Sequence, residues 1–294
     1  MKIGLYNLEP KINNTAMMQV SQYHKQQGDQ VERYNHINNG YDLAYAFSLF
    51  DFTDKSMVTN EMICGGTGFD IESRLPKEIE DCGLDYSIFP NCKTSYIWFS
   101  RGCIRNCPWC VVRRKEGYIK TFEPKNINSN GEYITVMDNN FFANPDWENS
   151  IKWLKNRNQK VLIEQGIDVR ILDKDMADSL NSLKHYKQIK FAWDDPKDDF
   201  VPILEKITRW IKPWKLMCYV LIGYNSTPEE DIYRVETLKK YKIDPFVMPY
   251  NKKDYYQHHL TRYTAHKAIC WKYSWEQYQS RYMKLTTVTN NSHV

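Results

Sequence analysis

The chain has 294 residues, 42% of them apolar and 26% charged, with 40 Lys and Arg against 36 Asp and Glu for a net charge of +4. That apolar content can build a packed core, and so small a net charge does not by itself argue for a nucleic-acid partner. No apolar run approaches bilayer length, and the start, Met-Lys-Ile-Gly-Leu-Tyr-Asn, lacks a long apolar signal segment, so a cytoplasmic protein without a membrane partner is expected.

The first ninety residues read as a small α/β domain, 1–90. Residues 2–7 are a candidate strand, and 14–27 a helix with Ala16, Met17, Val20 and Tyr23 at helical spacing, closed by Gly28. Strand candidates follow at 30–34, 43–47 and 61–64, the last leading into Gly65-Gly66-Thr67-Gly68. The order predicts a partial doubly wound, Rossmann-like sheet, with the glycines as a tight turn needing positive φ.

Strand and helix then alternate over 91–250, which predicts parallel strands with helical crossovers. The strands are expected at 95–100, 132–137, 160–164, 189–193, 215–222 and 245–249, with helices at 147–155, 174–183, 201–212 and 227–240. The last helix has Thr227 as N-cap, Pro228 at its first position and Glu229 and Glu230 on its positive end. Residues 251–294 are expected to form a helical extension; they carry seven basic and two acidic residues, interleaved with Tyr263, Trp271, Tyr273, Trp275 and Tyr278. Such a pattern can stack nucleobases, but an amphipathic helix with a solvated basic face is the preferred reading, so nucleic acid is not a favoured partner. His258 and His259 are adjacent and point different ways on a helix, a poor metal pair.

Chemistry concentrates in Ser-Arg-Gly-Cys-Ile-Arg-Asn-Cys-Pro-Trp-Cys, where Cys103, Cys107 and Cys110 are spaced by three residues and then two. Three thiolates from one loop can face one inorganic centre. A structural zinc site wants four protein ligands, so three with no near fourth suggest an open coordination position. A cubane [4Fe–4S] cluster held by three cysteines keeps one iron for a substrate or cofactor. A zinc loop is the plainer alternative. The other cysteines, 64, 82, 92, 218 and 270, are scattered and read as buried thiols rather than an auxiliary cluster.

The cysteine run, with aromatic Trp109 before its last thiol, resembles the cluster loop of the radical S-adenosylmethionine (SAM) enzymes. The resemblance covers about residues 1–275, is strongest over 95–250, and is nearest a group of radical SAM proteins common in anaerobes and their phages. It implies a partial (β/α)6 barrel behind the small α/β domain. It also implies a [4Fe–4S] cluster on Cys103, Cys107 and Cys110, SAM, and an electron donor such as flavodoxin or ferredoxin. The enzyme would cleave SAM to a 5′-deoxyadenosyl radical that takes hydrogen from an unidentified substrate.

In parallel α/β barrels the ligand groups lie at the carboxyl ends of the strands. By the resemblance, Asp138, Asn139 and Asn140 would bind the SAM amino group, and Gln165 and Arg170 follow the third strand, where an arginine reaches the SAM carboxylate. A polar turn and an ion pair of Arg170 with Asp168 or Asp173 are the alternatives. By the same resemblance Trp193 and Asp194, at the end of the fourth strand, would lie near the ribose, and Ile222 and Gly223, at the end of the fifth, beside adenine. The small domain resembles a cobalamin-binding domain, but Asn7-Leu8-Glu9-Pro10-Lys11-Ile12 lacks the histidine that can ligate cobalt, and His36 stands elsewhere. A domain without cobalamin is therefore expected. Alternatives are a cobalamin-assisted methylase and a non-catalytic metal or nucleic-acid binding module.

Overall fold

The computed structural model describes residues 1–37 and 40–283, and the chain divides into one unit over Met1–Met137 and a second from Asp138 onward. Each unit is built on parallel strands. The first carries the small sheet and the cysteine run together.

In the first unit, β1 (Lys2–Asn7) is followed by α1 (Thr15–Gln26), β2 (Gln30–Arg33), β3 (Leu43–Phe47) and β4 (Ile63–Gly65). The four strands are parallel in the order β2-β1-β3-β4. Asn14 caps α1 by accepting from the Met17 N–H at 3.1 Å, and Gly28 turns the chain out of it with φ +81°. Met17, Met18 and Val20 are buried from α1 against Ile3, Leu5 and Phe47 of the sheet. Gly66 takes φ +101°, as its turn requires, and a Cβ there would lie 2.3 Å from the Ser48 carbonyl oxygen.

The order places the reversal of strand sequence between β1 and β3, where ligands collect in doubly wound sheets. Glu9 fills this position. Its carboxylate accepts from the Thr53 hydroxyl at 2.6 Å, the Ser48 hydroxyl at 3.0 Å and the Leu49 N–H at 3.1 Å. The chain thus places a carboxyl group of its own at the reversal of strand order.

Asp85 ties the sheet's helical layer to the next segment. It accepts from Ser21 Oγ and Ser87 Oγ at 2.6 Å each and pairs with Lys25 Nζ at 2.7 Å. Burial pushes its carboxyl up, but Lys25, Ser21 and Ser87 outweigh this and hold it below the ordinary value. A depressed folded value gives stability that is present above the unfolded value near 3.9 and is lost as pH falls through the folded one. In urea unfolding, wild type should exceed Asp85→Asn by on the order of 1–2 kcal/mol at pH 7, and the gap should close below about pH 4. A gap constant down to pH 3 (roughly one unit under the unfolded value) would contradict this assignment.

Beyond α2 (Lys77–Glu80), β5 (Thr94–Ile97) gives way to β6 (Ser100–Arg101), α3 (Val112–Glu116), β7 (Lys120–Thr121) and β8 (Tyr133–Val136). β5 and β8 pair in parallel, whereas β6 and β7 form an antiparallel ribbon. β5 stops at Ile97 rather than at 100, because the chain leaves the sheet at Trp98 and Phe99 to make this ribbon.

In the second unit, α4 (Trp147–Arg157) precedes β9 (Lys160–Ile163), α5 (Lys174–Asn181), β10 (Ile189–Ala192), α6 (Val201–Trp210), β11 (Leu216–Ile222), α7 (Pro228–Lys240) and β12 (Asp244–Pro249). β10, β11 and β12 form one parallel sheet. The expected start of α7 is present as a full capping box between Thr227 and Glu230. Among the described residues the extension holds three α-helices, α8 (Tyr255–Ala265), α9 (Lys267–Lys272) and α10 (Trp275–Tyr278), followed by a π-helical turn at Gln279–Met283; residues 284–294 lie outside the described residues. Tyr263, Trp275 and Tyr278 are buried together, as an amphipathic extension requires. His259 is buried and His258 exposed.

The mixed α/β class expected from the sequence is present. The strands fall into separate sheets, and no barrel is closed by the pairings among the described residues. Among those residues no helix is long and apolar enough to cross a membrane.

Candidate functional site

The cysteine run lies between the two strands of the β6–β7 ribbon. Gly102 opens it with φ +87°, and a Cβ there would stand 2.3 Å from the Tyr118 carbonyl oxygen. Only glycine fits so close an approach in that conformation. The Gly102 N–H donates to Glu116 Oε2 at 3.0 Å. Arg101 bridges two acids, reaching Glu80 at 2.7 Å and Glu116 at 3.0 Å. Within the run, the Arg105 N–H donates to Cys103 Sγ at 3.3 Å and the Cys110 N–H to the Cys107 carbonyl at 3.0 Å. Arg113 of α3 donates to the Cys103 carbonyl at 3.0 Å. Cys103, Cys107 and Trp109 are half-buried, and Cys110 is exposed.

The donor set suits an iron–sulfur centre better than a hard cation. It offers three thiols and no carboxylate or imidazole over residues 101–110, with Arg105 between the first two thiols in the sequence. The Arg105 N–H to Cys103 sulfur contact is of the kind that tunes such a centre. Among the described residues, no group of three or more His, Cys, Asp or Glu side chains is gathered closely enough to hold a metal ion. The fit therefore rests on donor chemistry and on loop anchoring.

A cleft of about 390 Å³ lies in the same unit, a volume typical of small-ligand sites. Its lining includes Phe47, Cys64 and the Gly65–Thr67 turn on one side and Trp98, Arg101 and Lys115 on the other. Cys64 is exposed, a correction to the expectation of a buried thiol, because β4 ends at the cleft. Cys82, Cys92, Cys218 and Cys270 are buried as expected.

In the second unit, Asp138 and Asn140 are buried and Asn139 half-buried at its start. Asn140 precedes a single helical turn, Phe141–Ala143, whose Ala143 N–H donates to the Asn140 carbonyl at 3.1 Å. After β9, Gln165 is exposed and Gly166 turns with φ +86°. Arg170 donates to Asp168 at 2.7 Å and to Asp198 at 3.1 Å. The ion pair with Asp168 is thus formed, while Asp173 instead caps α5.

The ends of β10, β11 and β12 are brought together. The Leu221 N–H donates to Asp194 Oδ1 at 3.0 Å, and the Tyr250 N–H to the Ile222 carbonyl at 3.0 Å. Trp193 differs from its expected role. Its ring is 2% exposed and stacks on Phe200 at 5.1 Å, so its side chain belongs to the core. Ile222 is also wholly buried. Gly223 has φ +72°, and the Gln257 side chain occupies the space where a Cβ would stand.

Arg234 organises this end of the sheet and escaped the sequence reading. Wholly buried, it donates to the carbonyls of Trp193, Asp194 and Leu221 at 2.9 Å each and pairs with Asp231 at 2.6 Å. Burial pushes the Asp231 carboxyl up, against the pull of Ser226, Arg234 and Tyr256. A signal was present: Asp231, Arg234, Val235 and Leu238 follow the helical stripe, so two charges share the face of apolar core positions.

No family model matches the chain, and no curated protein matches it.

Proposed function

We propose that the chain is a radical SAM enzyme. The observation that carries this reading is the three-thiol run, anchored between β6 and β7. Cys103, Cys107 and Cys110 would hold the [4Fe–4S] cluster. Bound there and reduced, that cluster would supply one electron for cleavage of SAM to methionine and a 5′-deoxyadenosyl radical.

The chain's own residues have separate tasks. Gly102 lets the loop close on Tyr118, and Arg101 with Glu116 fixes its entry. Asp138, Asn139 and Asn140 would accept from the SAM ammonium, Arg170 would meet its carboxylate from among Asp168 and Asp198, and Asp194 with the 222–223 backbone would line the nucleoside. Alternation of strand and helix from β5 to β12 supports a partial (β/α)6 barrel as the frame. A donor of the flavodoxin or ferredoxin class would supply the electron.

Metal content separates this reading from a zinc-binding module. Protein purified and reconstituted without oxygen should hold about four irons with matching sulfide. Stoichiometric zinc in place of iron would overturn it.

A further inference from the structure

Sheet register sorts the side chains of β10, β11 and β12 onto two faces. Pairing puts Lys190, Tyr219, Leu221, Phe246 and Met248 on one, and Phe191, Cys218 and Val220 on the other. The second face is core, as its buried positions in β11 show. The first is only partly covered: Phe246 is 44% exposed, and Tyr219 and Leu221 are half-buried.

Lys190 is the anomaly on this face. Its side chain is 8% exposed, in the middle of a strand where an apolar residue would cost less. It donates to Glu164 Oε1 at 2.9 Å, and its ammonium lies 5.9 Å from the Tyr219 ring. An ammonium has three donors, and the described residues give this one a single acceptor. Glu164 is far more exposed, at 41%. The charge is thus fixed on the sheet, while its carboxylate partner stands toward solvent. Tyr219 and Phe246 meet edge to face at 5.5 Å beside it. The two rings and Leu221 share this face of the sheet with the ammonium.

We infer that Lys190 is a recognition group for an anionic substrate, taking a carboxylate or phosphate on its unused donors while Tyr219 and Phe246 hold a planar or apolar body. For the word substrate this rests on the radical-enzyme reading, which it deepens by naming a class. The binding itself does not depend on a cluster.

The test uses the full chain without iron and three probes: phenyl phosphate, benzoate and neutral benzyl alcohol, with dissociation constants from ligand-observed NMR. At least one anion should bind about tenfold more tightly than the alcohol, and the two anions distinguish phosphate from carboxylate. Lys190→Met should abolish the preference. Glu164→Gln should strengthen anion binding severalfold, a gain that unfolding cannot produce. Equal binding of all three probes, a preference surviving Lys190→Met, or no gain in Glu164→Gln would each overturn the proposal. Because iron is absent, failure here leaves SAM cleavage untouched, and failure of SAM cleavage leaves this result standing.

Discussion

Cys107→Ala should abolish both cluster assembly and SAM cleavage. Three thiolates are the fewest that leave one iron open while holding the other three, so loss of one removes the site rather than weakening it. The readouts are iron and sulfide per chain and 5′-deoxyadenosine formed under a reductant. Gly102→Ala makes a sharper companion, because it keeps all three thiols. Its Cβ would lie 2.3 Å from the Tyr118 carbonyl oxygen, an overlap the loop must move to relieve, and the φ of +87° adds roughly 1–3 kcal/mol of backbone strain of its own. The loop should shift and iron loading should fall sharply, with the fold retained. Full loading and cleavage in Cys107→Ala would remove the run from the chemistry. Unchanged loading in Gly102→Ala would show that the closed loop is not required.

The second large effect concerns stability. Arg234→Met leaves the Asp231 carboxylate buried at 1% exposure and strips donors from three strand-end carbonyls. Removing one partner of such a pair costs about 3–5 kcal/mol, a large part of a typical domain's stability. Urea unfolding followed by tryptophan fluorescence should show that loss. Asp231→Leu combined with Arg234→Met should recover much of it, since no lone charge then remains buried. A double variant no better than the single would place the effect in the carbonyl contacts instead.

The strands were legible because each is a short apolar run bounded by turn residues, as at 215–222 and 160–164. The α7 start was legible because Thr227, Pro228 and Glu230 are a local signal needing no tertiary partner. What stayed hidden depends on approach through space. The β6–β7 ribbon has two residues per strand, too few for any period to register. The amphipathic helix expected in the extension breaks into α8, α9 and α10, with His266 between the first two at φ −89° and ψ 79°. Trp193 looked like a strand-end ligand group, yet its ring stacks on Phe200, a partner that composition cannot reveal. Arg170 carried its alternatives from the start, and the pair with Asp198 crosses twenty-eight residues.

The most direct measurement is 5′-deoxyadenosine produced from SAM and dithionite by anaerobically reconstituted protein, with iron, zinc and corrin counted on the same sample. Production that requires about four irons per chain and disappears in Cys107→Ala is the predicted result. A fully loaded cluster that leaves SAM intact would contradict the account.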